Sequence, residues 1–304
     1  MKKHQTSDAF YLLAFFMIII SVGAALLCLP ISWAGGGSYP RSIKIIDALF
    51  ISTSAVCVTG LSTVDTAAFS RFGQIVILLL IQVGGLGIIS FTSLLLMIPG
   101  HRLPFRRLQT IRSFSVDGVE YDPIKIVRNI VFFTLFIESA GSLALYFVFS
   151  SAGTDTPVFT AVFHAISAFC NAGFSPFPTS LENYSRNPLL LGIVAILIVT
   201  GGIGFIVLQD IERRIRGKRK NLSYHTQLVL SVTAVLIAGG AVAFWIMERN
   251  HAYAGMNLID QIANSIFQSI TPRTAGFDAV SQAALRQPSR YLTIMLMFIG
   301  GAPG

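Results

Sequence analysis

Three strings in this chain end alike: FISTSAVCVTGL at residues 50–61, FHAISAFCNAGF at 163–174 and, one residue shorter, FQSITPRTAGF at 267–277. Each closes on a small residue, a glycine and an apolar residue, centred on Gly60, Gly173 and Gly276. None offers an acid–base pair or an activated nucleophile; the chemistry on offer is that of the backbone carbonyl. Glycine takes up φ values that other residues avoid, so an extended strand running through one can turn its carbonyls inward and replace the water shell of a cation. The oxygens concerned are those of Val58 and Thr59, of Asn171 and Ala172, and of Thr274 and Ala275. One such glycine alone reads better as a turn or a close-packing residue. Three in register favour the carbonyl strand.

Each strand needs a support, and the apolar runs supply one. Segments near 47–59, 157–171 and 259–274 are too short to cross a bilayer, and each lies between longer apolar runs: 10–30 and 72–98, 126–149 and 189–208, 228–247 and 291 onward. About 20 apolar residues span the hydrocarbon core, so the long runs are expected to cross and the short ones to enter and leave on the same side. Such re-entrant backbone is tolerated only where it lines a cavity or pore. A half-helix that points its C-terminus there directs about half a negative charge at that point, which favours a cation. Glycine pairs follow at Gly84-Gly85, Gly201-Gly202 and Gly300-Gly301, which lie 24, 28 and 24 residues beyond the three strand glycines. This is internal repetition of a helix, pore-loop, helix unit. The units are drawn at 1–112, 113–220 and 221–304, the last incomplete in its final helix. The pairs themselves read as close helix contacts rather than hinges.

Composition agrees with this. Hydrophobic residues make up 53% of the chain, charged ones 12%, and the mean hydropathy is +0.70, too apolar for a soluble globule of 304 residues. Cys28, Cys57 and Cys170 all lie in apolar or strand-like segments and read as small buried hydrophobes, with neither a disulfide framework nor a zinc site expected. The run 10–30 is long, lacks a convincing cleavage site and fits the repeat, so it is taken as a first helix and not as a cleaved signal. Of the 22 Lys and Arg residues, 14 fall in three places: Lys2 and Lys3; Arg102, Arg106, Arg107, Arg112, Lys125 and Arg128; and Arg213, Arg214, Arg216, Lys218, Arg219 and Lys220. The positive-inside rule makes these regions cytoplasmic, N-terminus included, and puts the strands' entrance on the outer face. Their position between spans accounts for the basic runs, so no nucleic-acid partner is read from them; anionic membrane lipid is expected to meet them. No nucleotide fingerprint, zinc-ligand spacing or nucleophile elbow is present, and the chain is not read as an enzyme.

The three strings, together with QVGGLG at 82–87 and TGGIGF at 200–205, resemble the successive filter segments of the Trk/Ktr/HKT superfamily of potassium transporters, nearest to the bacterial Ktr-type membrane subunit. The resemblance covers essentially the whole chain. It implies an all-α integral membrane fold with helix, re-entrant pore loop, helix units arranged pseudo-fourfold around a pore. It implies uptake of potassium ions across the bacterial plasma membrane, often with sodium coupled, by a homodimeric subunit bound to a cytosolic ring of nucleotide-binding regulatory subunits. Gly60 stands at the first-filter position that the superfamily associates with potassium selectivity. A sodium-selective or weakly selective transporter and a non-conducting membrane subunit remain as alternatives. Only three units are present where the resemblance implies four, so this chain is expected to be a C-terminally truncated piece, or else to be completed by partner chains.

Four charged residues are possible modulators of the strands. Glu138, mid-way through an apolar run, is costly there and reads as the structural partner of a neighbouring helix, with tuning of the ion path as the alternative. Arg273 immediately precedes the third strand's turn, where a positive charge in the ion line would oppose cations; it is expected to point behind the loop, towards carbonyls or an acid. Asp65 and Asp278 follow their strands at the mouth, either to concentrate cations or simply as solvated loop carboxylates and caps.

Overall fold

The computed structural model describes residues 8–34, 43–95, 123–217 and 221–301. The basic residues Lys2, Lys3, Arg102, Arg106, Arg107, Arg112, Lys218, Arg219 and Lys220 lie outside the described residues, as does the unit boundary at 112/113. Among the described residues ten α-helices follow one another: α1 (Asp8–Leu27), α2 (Ile45–Val56), α3 (Arg71–Leu95), α4 (Pro123–Ser151), α5 (Pro157–Phe169), α6 (Pro188–Gly202), α7 (Phe205–Ile215), α8 (Tyr224–Glu248), α9 (Leu258–Ile270) and α10 (Gln287–Ile299). No strand occurs among the described residues. One antiparallel bridge joins Trp33 to Phe69, whose rings stack 4.9 Å apart.

The same arrangement occurs three times: a short helix (α2, α5, α9) packs against the long helix before it (α1, α4, α8) and the helix after it (α3, α6, α10). Local chemistry sets where the short helices start. Pro157 opens α5 at a position whose N–H has no intrahelical partner, and the Asn257 side chain caps α9 by accepting from the Asp260 N–H at 2.8 Å. Two of the short helices are fastened to the preceding long helix by the same device. Ser52 Oγ donates to the Ile20 carbonyl at 2.8 Å, and Ser269 Oγ reaches the Ile237 carbonyl at 3.0 Å. Gly23 and Gly240 make room, since a Cβ on either would run into the respective serine hydroxyl.

Two apolar cores hold the units in order. One joins Leu27, Ile51 and Ile77 of the first unit to Phe163, Ala172 and Phe174 of the second. The other joins Phe149, Leu190 and Val194 of the second unit to Phe267, Ala275 and Phe277 of the third. The second and third strand segments are thus each seated in the core of the unit before it, which fixes the order of the strands. Outward-facing Met17, Phe132, Phe147, Ile196, Val235 and Phe298 are exposed, a distribution that suits lipid. Helix α4, over Val127–Ser151, and α8 are each long and apolar enough to cross a membrane.

The run 189–208, expected to cross as one span, is broken into two helices. Helix α6 stops at Gly202 and the chain turns by 101° into α7. Gly204 takes φ +86°, closed to most side chains, and the residues beyond it change character: Gln209, Asp210, Glu212, Arg213 and Arg214 put a polar face on α7. Asp210 is buried and accepts from the Ser223 N–H at 2.8 Å, tying α7 to the start of α8. The reading of all three cysteines as buried also needs correction. Both Cys57 and Cys170 are the C-cap residues of their short helices, but Cys57 is exposed, whereas Cys170 is covered by α3 at Gly85.

Candidate functional site

Helices α2 and α5 end in the same way. After Cys57, the Val58 N–H bonds to the Ala55 carbonyl (3.2 Å) and the Thr59 N–H to the Ser54 carbonyl (2.9 Å); after Cys170, Asn171 N–H bonds to Ala168 (3.0 Å) and Ala172 N–H to Ser167 (2.7 Å). These paired bonds form a Schellman cap, which needs a left-handed residue between them. Val58 at φ +56° and Asn171 at φ +58° occupy that position. Asparagine tolerates it; a β-branched valine does not, so Val58 is a point of stored strain. The third copy lacks one residue and takes another route. A 3₁₀ turn, Thr271–Arg273, follows α9, Thr274 has φ −164°, and the Ala275 and Gly276 N–H groups both reach the Thr271 carbonyl, at 2.9 and 3.0 Å.

The strands then meet. Gly60, Gly173 and Gly276 all take positive φ, at +76°, +70° and +78°. A Cβ built on Gly60 would lie 2.5 Å from the Ala172 carbonyl oxygen, and one on Gly173 would run into that of Ala275. The same construction on Gly276 falls 4.0 Å from the Gly173 Cα. Thr274 Oγ1 donates to Asn171 Oδ1 at 3.0 Å, a bond directly between the second and third strands, while Asn171 Nδ2 reaches back to the Phe169 carbonyl at 3.3 Å. The expected strand residues Val58, Thr59, Gly60, Asn171, Ala172, Gly173, Thr274, Ala275 and Gly276 thus follow the C-terminal ends of three short helices, with the first strand against the second at Gly60 and Ala172 and the second against the third at Gly173 and Ala275. That is an arrangement of backbone oxygens and partial negative charge suited to a bare cation.

Thr274→Val keeps the shape and removes the hydroxyl that joins the two strands. The buried Asn171 amide oxygen then loses its partner, a loss worth about 1–3 kcal/mol. The variant is expected to unfold in detergent at a lower temperature than the parent, as read by the fraction remaining monodisperse after heating. An unchanged midpoint would show that the bond carries no weight.

The charged neighbours take separate places. Glu138 is buried on α4 with its carboxylate accepting from Gln82 Nε2 of α3 at 3.1 Å and facing the Cys170 thiol at 3.8 Å, so it lies at the seam of the first two units, behind the strand. Arg273 donates from Nε to the Gly300 carbonyl at 3.1 Å, where α10 ends. Asp65 is exposed and its carbonyl starts the 3₁₀ turn Thr66–Ala68. Asp278 accepts from Gln282 Nε2 at 2.7 Å; burial pushes its carboxyl above the usual range, against the pull of that hydrogen bond. It therefore lies partly inside the wall of the mouth.

Sequence reading missed two kinds of residue. Ser167 Oγ donates to the Phe174 carbonyl and Thr271 Oγ1 to the Phe277 carbonyl, each at 2.7 Å, so a buried hydroxyl holds the residue just after the strand glycine. The signal was present as a hydroxyl residue six, six and five places before the glycine, at Ser54, Ser167 and Thr271. The glycine pairs have a second role as well. A Cβ on Gly84 or Gly201 would run into the carbonyl of Val56 or Phe169, the last residue of the short helix in the same unit. Gly85 meets Cys170 of the following unit, and Gly202 lies nearest Thr274 of the following strand. The first two pairs are thus rests for the strands, one glycine for its own unit and one for the next, whereas Gly300 and Gly301 both lie against Arg273 and Thr274 of their own unit.

Comparison with known proteins gives a consistent picture. The family described as TrkH, cation transport protein, matches residues 4–304. The potassium/sodium uptake protein NtpJ of Enterococcus hirae is 38% identical over 99% of this chain and 66% of its own length. The Ktr system potassium uptake protein B of Bacillus subtilis is 37% identical over 95% of this chain and 64% of its own. The crystal structure of the potassium transporter TrkH from Vibrio parahaemolyticus superposes with a TM-score of 0.70, at 19% identity, over 99% of this chain and 58% of that one, a likeness of fold. The chain spans just under two thirds of the length of the curated relatives it matches.

Proposed function

The chain belongs to the TrkH family of cation transport proteins, and from that premise we propose that the whole protein takes up potassium through a filter of backbone carbonyls, one glycine-centred strand from each unit. The observation that carries the reading is the meeting of three strands whose glycines all sit at φ between +70° and +78° behind the C-termini of short helices. The ion ligands are the carbonyl oxygens of Val58, Thr59, Asn171, Ala172, Thr274 and Ala275, with Gly60, Gly173 and Gly276 allowing the turn. A fourth unit closes the ring, and Cys57 then faces its second helix as Cys170 faces Gly85 in the second helix of the first unit.

The setting follows from the same reading. The protein is a multi-pass subunit of a bacterial plasma membrane with a cytoplasmic N-terminus, pairs with a second copy and carries a cytosolic ring of nucleotide-binding subunits, with sodium coupled to potassium entry. The basic residues from Arg102 to Arg112 and from Arg213 to Lys220 are expected to meet that ring and the anionic lipid head groups, each worth about 1 kcal/mol at such a surface.

The test is growth and flux. The full-length protein is expected to restore growth of a potassium-uptake-deficient bacterium in low-potassium medium and to take up rubidium well above background. Rubidium uptake at background would remove the conduction reading. Sodium uptake without rubidium uptake would transfer the assignment to the sodium-selective alternative.

A further inference from the structure

Behind the second strand, His164 of α5 is completely buried. Its Nδ1 lies 2.8 Å from the Thr160 carbonyl, which can only accept, so the proton sits on Nδ1 and the bare Nε2 accepts from the Ser175 hydroxyl at 3.0 Å. Ser175 stands two residues past Gly173, and its oxygen also accepts from the Phe177 N–H at 3.1 Å. The ring is wedged between Phe149 and Phe177, with centroids 5.3 and 5.2 Å away, and Phe277 lies 6.1 Å off.

The third unit solves the same problem with other side chains. Aligned on the hydroxyls Ser54, Ser167 and Thr271, the position of His164 is Ile51 in the first unit and Gln268 in the third. Gln268 is buried and exchanges amide bonds with Gln282 at 3.1 and 3.3 Å. Gln282 in turn holds Asp278, two residues past Gly276, at 2.7 Å. In the first unit the position is apolar: Ile51 is buried, and Ser62, two residues past Gly60, bonds locally to the Val64 carbonyl. The hydroxyl beneath follows the same division. Ser167 and Thr271 grip the carbonyls of Phe174 and Phe277, whereas Ser54 accepts from Thr59 Oγ1 at 2.9 Å, before the glycine.

From this comparison we propose that His164 and Gln268 are positioning residues for ion selection: from inside their short helices they clamp the outer ends of the second and third strands, leaving the first as the compliant one. The inference rests on the potassium-filter reading. A strand can prefer the larger, more easily dehydrated ion only if it resists closing around the smaller, and a buried bond two residues beyond the glycine supplies that resistance where solvent cannot compete for it. Phe277 against the His164 ring, with the Leu181 N–H on the Asp278 carbonyl at 2.8 Å, couples the two clamped strands to each other.

Two measurements on the full-length protein test it. In the first, hydrogen exchange of the Phe174, Ser175 and Phe177 amides is followed without any ion flux. His164→Leu, which fills the space but cannot bond, is expected to speed exchange there at least tenfold; His164→Gln, which supplies the amide that the third unit uses, is expected to restore most of the protection. In the second, sodium competes against rubidium uptake. His164→Leu and Ser175→Ala are each expected to lower the rubidium preference about tenfold, the pair together no further than either alone, while His164→Gln stays within threefold of the parent. Ser175→Ala is the mild member of the set and keeps the question open to measurement if His164→Leu fails to fold. Unchanged exchange and unchanged preference in a folded Leu or Ala variant would overturn the proposal, as would a folded Gln variant no better than Leu. Faster exchange in His164→Leu, with a parent protein that takes up no rubidium, would leave the clamp standing and remove the potassium reading instead.

Discussion

Gly60→Ser or Gly173→Ser in the full-length protein is expected to lower the preference for potassium over sodium by on the order of tenfold, since about 1.4 kcal/mol is enough for that factor. Two separate costs lead there. A residue with a Cβ loses roughly 1–2 kcal/mol in the left-handed region that both glycines occupy. The added Cβ is also aimed at a neighbouring strand: it lies 2.5 Å from the Ala172 oxygen at Gly60 and closer still to the Ala275 oxygen at Gly173. Those oxygens belong to backbone, so relief comes only by moving one strand against the next. Such a movement alters the spacing of the ion ligands before it unfolds the helices, which are held by cores elsewhere. Inhibition of rubidium uptake by sodium, measured with protein yield and monodispersity, separates the two effects. A serine variant that folds and keeps the parent's ion preference would show that these glycines serve packing alone.

The strands were legible in the sequence because they are local: a glycine that must take positive φ and the small residues before it are written together, and three copies make the pattern visible. The long helices were legible for the same reason, since an apolar run carries its own signal. What could not be read is what depends on contacts across the fold. The apolar run continues through Ile203, Phe205 and Leu208, so nothing in hydropathy marks the 101° turn; only Gly204 and the polar face beyond it do. His164 reads as an odd histidine on an apolar helix until Ser175 and three aromatic rings are seen around it. Counted back from the strand glycine, the missing residue in the third string puts Phe267 opposite His164; counted from the leading phenylalanine or from the hydroxyl at Thr271, the counterpart is Gln268. Arg273 could be reasoned away from the ion line by charge alone, whereas its partner, the Gly300 carbonyl, is a fact of the fold.

The largest loss of folded protein is expected from the least conspicuous change, Gly201→Ala, with Gly84→Ala close behind. Neither glycine shows a positive φ, so conformational freedom is not what they provide; both lie within regular helix. Intrinsic propensity alone would make alanine better there by about 1 kcal/mol. Contact reverses the sign, because the new methyl has to share space with the Phe169 or Val56 carbonyl, and that carbonyl belongs to the turn from which the strand begins. Overpacking a well-filled interior costs about 1–3 kcal/mol even where side chains yield, and here helix backbone must yield. Gly192→Ala, also within α6, supplies the internal standard, since nothing lies within 4 Å of its would-be Cβ. The expected order of thermal midpoints in detergent is therefore Gly192→Ala at or above the parent, then Gly84→Ala, then Gly201→Ala, with the last yielding little monodisperse protein. Equal midpoints for Gly192→Ala and Gly201→Ala would mean that α6 does not press on the end of α5. The strands would then have to be held up by the apolar cores alone.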